Sequence, residues 1–323
     1  MPQQQNARKK VIVITGPTAT GKTALSVRLA QSLQTEIISS DSQLIYRGLD
    51  IGTAKPTVEE MGGVPHHLID VASPTEEYTV AQYQHDAGQV MEQLFESSQI
   101  PVFAGGTGFY LKSVLQAPEQ AAPVQPNPAF REKMARRLEQ EGADALYHEL
   151  KQKDPRRASM LYPQDTFRVI RALEIIEQTG QLVPDTTQLN SMEERPFDVL
   201  WVVLTWQNRE QHRQLIRERV EAMLEAGWLD EVRQLREEYG ADAYALQRSH
   251  GYPVLLDVLA DKVSIDEAID DISIQVRQYA RRQRTWFRRQ LIQEPWVKTF
   301  CVDDGLDRVW KGLSCELDDM IVG

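Results

Sequence analysis

The sequence has few cysteines and no long apolar runs. Among 323 residues there are two cysteines, Cys301 and Cys315, and their spacing is not that of a zinc site. This argues against a disulfide framework or a zinc finger and favours reduced thiols in a cytoplasm. The longest apolar runs are the size of a strand, well short of the roughly 20 residues that a membrane span needs. The polar segment 1–10 lacks the apolar centre of a secretory signal, so we expect a cytoplasmic protein without a membrane partner.

Positive charge is in the minority. The chain has 47 acidic residues against 36 lysines and arginines, a net charge of −11. This balance argues weakly against nucleic acid as a partner, but total charge is a poor guide where basic residues are concentrated locally. Apolar residues make up 41% and charged residues 26%, which is ordinary for a globular protein. At this length we expect one main domain with a smaller one attached.

The most informative stretch is Gly16–Thr23, GPTATGKT, which follows the apolar run Val11–Ile14 and precedes a helical pattern. A strand, a glycine-rich loop and a helix in this order predict a phosphate-binding loop (P-loop), whose N–H groups converge on a phosphate. Lys22 would reach the terminal phosphates, and the Thr23 hydroxyl would bind a bridging Mg²⁺. The alternative is a glycine-rich turn that matches by chance. The predicted phosphate site consists of Gly16, Pro17, Thr18, Ala19, Thr20, Gly21, Lys22 and Thr23.

Two other predicted strands end near the same place. A β-branched strand from Glu36 ends at Asp41, and the buried strand Pro101–Ala104 opens into a second glycine-rich turn that contains Thr107. Ligands of open parallel sheets collect at the carboxyl ends of strands, so both side chains are expected beside the P-loop. The structural alternative for each is a cap on the following turn or helix.

The order of elements predicts an α/β fold, with a P-loop core whose parallel sheet is flanked by helices. Prolines from 118 to 128 mark a linker, residues 130–180 are almost entirely helical with stops at Gly142 and Asp154-Pro155, and 197–204 is a long apolar strand. We therefore expect a core domain, 1–117 and 197–323, interrupted by a helical insertion domain, 118–196. We also predict a long ordered loop at 46–70 and helices at 208–226, 228–239, 253–260 and 266–290.

The helix predicted at 266–290 carries a row of arginines without acidic neighbours. Arg277, Arg281, Arg284 and Arg288 recur at i, i+4, i+7 and i+11 on one face, and no acidic residue occurs from 275 to 290. A solvated helix usually intersperses Glu with Arg, so this face predicts a polyanionic ligand. Arg282 and Arg289 flank the row, and Tyr279, Trp286 and Phe287 on the other side are expected to anchor the core.

The insertion carries a smaller basic pair, Arg168 and Arg171, with apolar residues packing behind it. By itself, this pair would indicate only a solvent-exposed helix face. Because basic helices occur in both predicted domains, the two together predict a clamp on nucleic acid.

These stretches resemble, over about residues 11–290, the bacterial tRNA dimethylallyltransferases, also called tRNA isopentenyltransferases. A P-loop alone is common, but the combination of DSQLIYRGLDIGTAKP with GGTGFYL further along the chain is highly specific. The matching segments are GPTATGKT at 16–23, IISSDSQLIYRGLDIGTAKP at 37–56, GVPHHLID at 63–70, AGGTGFYL at 104–111, RVIRALEI at 168–175 and RQYARRQRTWFR at 277–288.

The resemblance implies transfer of the dimethylallyl group from dimethylallyl diphosphate to N6 of adenine at tRNA position 37, next to the anticodon, with Mg²⁺ and release of diphosphate. It implies that the P-loop holds the donor diphosphate, with Asp41 as general base, Thr107 as its partner at the amine and Lys22 neutralising the leaving group. The implied partners are dimethylallyl diphosphate and a tRNA anticodon stem-loop, bound by a monomer. The tRNA-binding residues would be Asp41, Ser42, Gln43, Leu44, Arg168, Arg171, Arg248, Tyr252, Arg277, Arg281, Arg282, Arg284 and Arg288.

Three other functions remain open at this stage. A P-loop small-molecule kinase, or an isopentenyltransferase that acts on free adenine nucleotide, would use Lys22 and Thr23 but would have no use for the arginine row. A non-catalytic RNA-binding protein with a nucleotide switch would use the arginines but would leave Asp41 and Thr107 without a role.

Overall fold

The computed structural model describes residues 8–115, 127–183, 197–291 and 296–322. The chain divides into two compact units, one made of Met1–Gln116 and Met192–Gly323 and the other of Ala117–Ser191. Most of the predicted proline-rich linker falls outside the described residues. No helix within the described ranges is long and apolar enough to cross a membrane.

The larger unit is built on a six-stranded sheet in which every neighbouring pair is parallel. The strands are β1 Lys9–Thr15, β2 Ile37–Ser39, β3 His66–His67, β4 Val102–Gly105, β5 Phe197–Thr205 and β6 Val297–Cys301. Their order is β3-β2-β4-β1-β5-β6, so the α/β prediction with a parallel sheet is confirmed. The strand predicted at 197–204 is β5, which lies in the interior of the sheet beside β1.

The helices cover both faces of this sheet and make up most of the smaller unit. In chain order they are α1 Lys22–Leu33, α2 Val58–Met61, α3 Val80–Glu96, α4 Gly108–Leu115, α5 Pro128–Lys153, α6 Pro155–Ala158, α7 Thr166–Thr179, α8 Arg209–Glu225, α9 Trp228–Tyr239, α10 Tyr244–Arg248, α11 Tyr252–Val258, α12 Ile265–Gln290 and α13 Leu306–Val322. The four helices predicted after residue 205 correspond to α8, α9, α11 and α12.

Three parts of the chain differ from the prediction. The segment 46–70 is not a continuous loop, because it contains α2 and the short strand β3. The short helix α10 and the C-terminal elements β6 and α13 were not predicted at all. The capping box of Thr57 and Glu60 explains why a helix forms in a segment that contains many helix breakers.

The sheet is buried on both faces. Val11 and Val13 belong to the core on one side, which includes α3 and α12, while Ile12 and Ile14 pack with α1 and α13 on the other. All four are 0% exposed, which explains why the strand is a continuous apolar run rather than an alternating one. Two buried faces hold the carboxyl ends of β1, β2 and β4 rigidly side by side.

The smaller unit is a cluster of helices with its own apolar core. Met134, Leu146 and Leu150 of α5 pack with Val169 and Leu173 of α7. The predicted helix stops are present, since Gly142 has φ 81° and interrupts α5, and the Asp154 carboxylate accepts the Arg157 N–H at 2.8 Å where α6 begins.

Candidate functional site: a phosphate loop beside an arginine groove

The loop between β1 and α1 has the backbone shape that its glycines predict. Gly16 has φ 147° and Gly21 has φ 77°, and a Cβ on Gly16 would lie 2.5 Å from the Leu204 carbonyl oxygen. Ala19 has φ 60°, a left-handed conformation that costs an L-residue with a Cβ about 1–2 kcal/mol. Contacts from outside the loop must therefore hold this conformation.

Side chains from three distant positions supply those contacts. Gln283 of α12 accepts the Thr18 N–H at 3.0 Å, and the His212 Nε2 of α8 lies 3.0 Å from the Thr18 carbonyl oxygen. The Trp206 indole N–H donates to the Ala19 carbonyl at 2.9 Å. Hydrogen bonds thus hold the apex of the loop to α8 and α12, which also carry the basic residues described below.

Lys22 begins α1 and folds back over the loop, where its Nζ donates to the Pro17 carbonyl at 2.8 Å. Burial lowers the pKa of Lys22 to about 8; the charge of Arg219 lowers it too, whereas Asp41 opposes the change. Burial therefore disfavours the charged form of Lys22, and a phosphate bound beside it would stabilise that charge.

A cavity of about 90 Å³ opens beside the loop. Its polar lining includes Lys22, Asp41 and Arg219, and its apolar lining includes Ile216 and Met223. The cavity therefore combines cations that could bind an anionic group with apolar side chains that could pack against a hydrocarbon group. The remaining lining residues are Thr18, Ala19, Gln43, Gly52, Thr53, Ala54, Val220, Trp228, His250, Ile272, Val276, Tyr279 and Gln283.

Asp41 and Thr107 follow the neighbouring strands β2 and β4, as predicted. The Thr107 hydroxyl accepts the Ser42 N–H at 3.0 Å, and the Thr107 N–H donates to the Ser40 carbonyl at 3.0 Å. One Asp41 oxygen accepts the Gln43 N–H at 2.9 Å, so Asp41 does cap this turn. Its other oxygen accepts no hydrogen bond from the described residues.

Tyr279 was expected to anchor the core, but it lines the cavity. Burial raises the pKa of its hydroxyl and the Asp41 charge adds to the rise, while hydrogen bonds with Thr107 and Gln283 oppose it. The hydroxyl therefore stays protonated at neutral pH and can donate a hydrogen bond beside Asp41.

A half-buried carboxylate holds the segment 50–52 beside the cavity. Glu231 of α9 accepts the backbone N–H groups of Asp50, Ile51 and Gly52 at 2.9, 2.7 and 3.3 Å. It also accepts the Tyr252 hydroxyl at 2.6 Å. Tyr252 is 0% exposed and supports this segment from below, and its predicted contact with tRNA stays a prediction.

A groove of about 1070 Å³ runs between α8 and α12 on the same unit. None of the arginines of α12 forms an ion pair with a carboxylate in the described part of the chain. Burial lowers the pKa of Arg284, and the charges of Arg209, Arg281 and Arg213 lower it further. The groove is therefore a concentration of like charge suited to a polyanion. Its arginines are Arg209, Arg213, Arg277, Arg281, Arg284 and Arg288.

Other predicted RNA-binding arginines are engaged differently. Arg282 lies 5.8 Å from the centre of the Tyr279 ring, and Arg248 lies 4.7 Å from that of Tyr244; neither lines the groove. In the smaller unit, Arg168 pairs with Asp165 at 3.1 Å, and Arg171 pairs with Glu174 at 2.5 Å. Their predicted contacts with RNA stay predictions.

Sequence reasoning missed the contributions of α8. Arg219, which lines the cavity, stands in the run Arg217-Glu218-Arg219-Val220-Glu221, whose mixed charges are typical of a solvated helix. His212 and Trp206 carry no motif. Gln283 lies inside the predicted arginine row, but it is only 5% exposed and its amide N–H donates to the Gly106 carbonyl at 3.0 Å.

A family model described as IPP transferase matches residues 44–290 of the chain. Curated relatives are similar over most of their length. A tRNA dimethylallyltransferase of Thermomicrobium roseum is 40% identical over 284 residues, which cover 88% of this chain and 85% of the relative. One of Symbiobacterium thermophilum is 42% identical over 280 residues, 87% of this chain and 86% of the relative.

Solved structures agree with these similarities. The tRNA isopentenylpyrophosphate transferase of Bacillus halodurans has a TM-score of 0.68 and 35% identity, covering 97% of this chain and 98% of that one. A eukaryotic dimethylallyltransferase acting on tRNA has a TM-score of 0.78 and 30% identity, covering 92% of this chain and 74% of that one.

Proposed function

Because this chain belongs to the IPP transferase family and is a prenyltransferase that modifies tRNA, we propose that it transfers the dimethylallyl group of dimethylallyl diphosphate to N6 of adenine 37. One observation carries the proposal: hydrogen bonds hold the phosphate loop to the same two helices that form the arginine groove, and the α12 arginines of that groove form no ion pair with a described carboxylate. A small-molecule kinase, or a transferase acting on free adenine nucleotide, would leave that groove without a ligand.

The donor diphosphate would lie on the loop at the start of α1. The loop N–H groups and the helix N-terminus favour an anion there, and Lys22 would exchange the Pro17 carbonyl for a phosphate oxygen. Positive charge from Lys22 and Arg219 would stabilise the diphosphate as it leaves.

The Thr23 hydroxyl suits a Mg²⁺ ligand. It is exposed at the start of α1 and has no hydrogen-bond partner in the described part of the chain. Bound there together with the diphosphate, Mg²⁺ would neutralise charge on the leaving group. No cluster of three metal-binding side chains occurs in the described ranges, so diphosphate oxygens and water would supply the other ligands.

The acceptor amine would approach from the Asp41 side of the cavity. The N6 lone pair attacks the first carbon of the dimethylallyl group, and the carbon–oxygen bond breaks with its electrons leaving on diphosphate. The N6 proton passes to the free oxygen of Asp41, while Thr107 and Tyr279 orient the groups around it. Ile216 and Met223 exclude water from the allylic carbon, which would otherwise be hydrolysed.

The tRNA would be held mainly through its backbone. The arginine groove would take phosphates of the anticodon stem, and adenine 37 would have to leave its stack to reach the cavity. Ser42, Gln43 and Leu44 follow Asp41 directly and would contact the flipped base. Arg168 and Arg171 of the smaller unit would add contacts to the stem. A tRNA substrate supports a cytoplasmic location, and we propose that the protein acts as a monomer.

The test is to incubate the protein and Mg²⁺ with labelled dimethylallyl diphosphate and one acceptor: unmodified tRNA, AMP or ATP. We expect label in tRNA at adenine 37 and none in either nucleotide. A matched tRNA with guanine at position 37 should stay unlabelled. Label in AMP or ATP, or equal labelling of the two tRNAs, would refute the proposal.

A further inference from the structure

His212 lines the arginine groove and contacts the phosphate loop, but it does not line the cavity. It is 2% exposed, and its ring stacks on Trp206 with centroids 5.6 Å apart and an interplanar angle of 14°. One ring nitrogen meets the phosphate loop at the Thr18 carbonyl, 3.0 Å away. The other lies 3.5 Å from Nη1 of Arg284, whose side chain lines the arginine groove. A single buried ring thus connects a loop that receives diphosphate with a groove that receives RNA.

The two neighbours of His212 determine where its proton is. A carbonyl oxygen can only accept, so Nε2 must carry the hydrogen that points at Thr18. A guanidinium can only donate, so Nδ1 must present its lone pair to Arg284. Burial lowers the pKa of His212, and Arg284 and Lys22 lower it further, against the opposing effects of the Thr18 hydrogen bond and Asp303. The neutral Nε2–H ring is therefore the form that fits this position.

The two contacts differ in strength. The Thr18 contact has ordinary hydrogen-bond length, whereas the Arg284 contact is at the long limit. Arg284 has five N–H donors, so it can bind a phosphate in the groove and still donate to His212. A phosphate that fixes the Arg284 guanidinium would therefore also fix His212, and through His212 the Thr18 carbonyl.

Gln283 provides a second link on the same helix. It stands next to Arg284 in α12, accepts the Thr18 N–H and donates to the Gly106 carbonyl, both at 3.0 Å. Both polar backbone atoms of Thr18 are thus held by side chains of the helices that form the groove. The strained Ala19 follows Thr18 directly, so the loop depends on these contacts for its shape.

We propose that His212 is a positioning residue that couples the arginine groove to the phosphate loop, so that RNA bound at Arg284 strengthens the binding of diphosphate. This inference rests on the proposed function, because it takes the groove as the RNA site and the loop as the diphosphate site. Coupling between two sites is reciprocal, so diphosphate should strengthen RNA binding by the same factor.

The test measures the affinity of the full chain for inorganic pyrophosphate with Mg²⁺, with and without a saturating unmodified anticodon stem-loop RNA. We expect the RNA to increase pyrophosphate affinity at least about fivefold in the unchanged protein. In His212→Phe, which keeps the stacked ring but loses both polar contacts, the ratio should fall to about 1. His212→Gln, which offers an amide NH2 donor and a carbonyl acceptor, should restore part of the ratio.

A second pair of variants approaches the link from the groove. Arg284→Leu should remove the coupling with His212 intact, whereas Arg281→Leu, which removes a groove arginine that does not contact His212, should retain it at saturating RNA. Thermal unfolding of each variant verifies folding, and the Arg284 pair decides the question if His212→Phe does not fold. A ratio of 1 in the unchanged protein, or an unchanged ratio in His212→Phe or Arg284→Leu, would overturn the proposal. Because pyrophosphate and RNA binding are measured without prenyl transfer, these outcomes are separate from failure of the labelling experiment.

Discussion

The arginines of the smaller unit and those of α12 occur in similar numbers but in different surroundings. In the smaller unit Arg131 and Arg171 both bind the Glu174 carboxylate, and Arg137 binds Glu141 and Glu149. On α12 no arginine pairs with a described carboxylate, and four of them line the groove. Arginines that pair internally support their own helices, whereas arginines that remain unpaired are available to a ligand. The position of the acidic residues, more than the number of arginines, distinguishes the two uses.

The largest effect is expected at Asp41, the carboxylate that lines the cavity together with Lys22 and Arg219. If Asp41 only compensates these cations, Asp41→Asn should affect stability. If it is the base, single-turnover prenyl transfer should fall by about 10² to 10⁴ with little change in the affinity for either substrate. We expect the second result, with an unchanged denaturant midpoint. Rates across a Mg²⁺ series serve as the control, because a rate restored by excess Mg²⁺ would make Asp41 a metal ligand instead.

Substitution of Glu174 should lower the stability of the protein, whereas substitution of Asp41 should lower the rate of prenyl transfer. Its side chain is 0% exposed, and although burial alone would raise its pKa, hydrogen bonds from Asn127, Arg171 and Arg131 lower it. A lowered pKa means stability that is present above the unfolded pKa and lost as pH falls. Glu174→Gln should cost about 2–3 kcal/mol in denaturant unfolding, less than a fully buried pair because both arginines are about one-third exposed.

The matched control for Glu174 is Glu141→Gln, which removes an exposed carboxylate that pairs with Arg137 on α5. It should cost much less than Glu174→Gln, because water screens an exposed ion pair. Equal losses in the two variants would mean that the buried carboxylate does not organise the smaller unit.

Lys22 should give the core site a pH dependence that no paired arginine can give. With a pKa of about 8, Lys22 is charged below pH 8 and increasingly neutral above it. A diphosphate bound beside Lys22 would raise this pKa, so binding would take up a proton above pH 8, and the affinity for dimethylallyl diphosphate should fall about tenfold between about pH 7.5 and 9.5. Calorimetry without tRNA measures this. Lys22→Arg, which stays charged, should bind with a flat profile, and an equally steep profile would exclude Lys22 as the cause.

The smallest effect expected is that of a single groove arginine. Arg281→Ala should weaken tRNA binding about fivefold and make the slope of log affinity against log salt shallower by about 0.7–0.9. Arg137→Ala should leave tRNA affinity and slope unchanged and lower stability instead. Filter binding over a salt series decides between them, and an equal change of slope in both variants would remove the distinction between paired and unpaired arginines.

Much of the fold and part of the site could be read from local patterns. The apolar run before Gly16 and the helical pattern after Lys22 predicted a strand, loop and helix, because each signal lies within a few residues. The arginine row was predicted because 3.6-residue periodicity determines which side chains share a helix face. Asp41 and Thr107 were predicted as neighbours because the strand ends of a parallel sheet lie side by side.

The tertiary structure alone decided which distant side chains complete the site. Periodicity places residues on a face but does not identify what that face packs against, so nothing local indicated that Arg219 lines the cavity or that Tyr252 is buried against Glu231. The link from Arg284 through His212 to Thr18 joins residues 72 and 194 positions apart. Such contacts arise when β1 and β5 pair and bring α8 over the loop, and that pairing depends on the packing of the whole core rather than on any one segment.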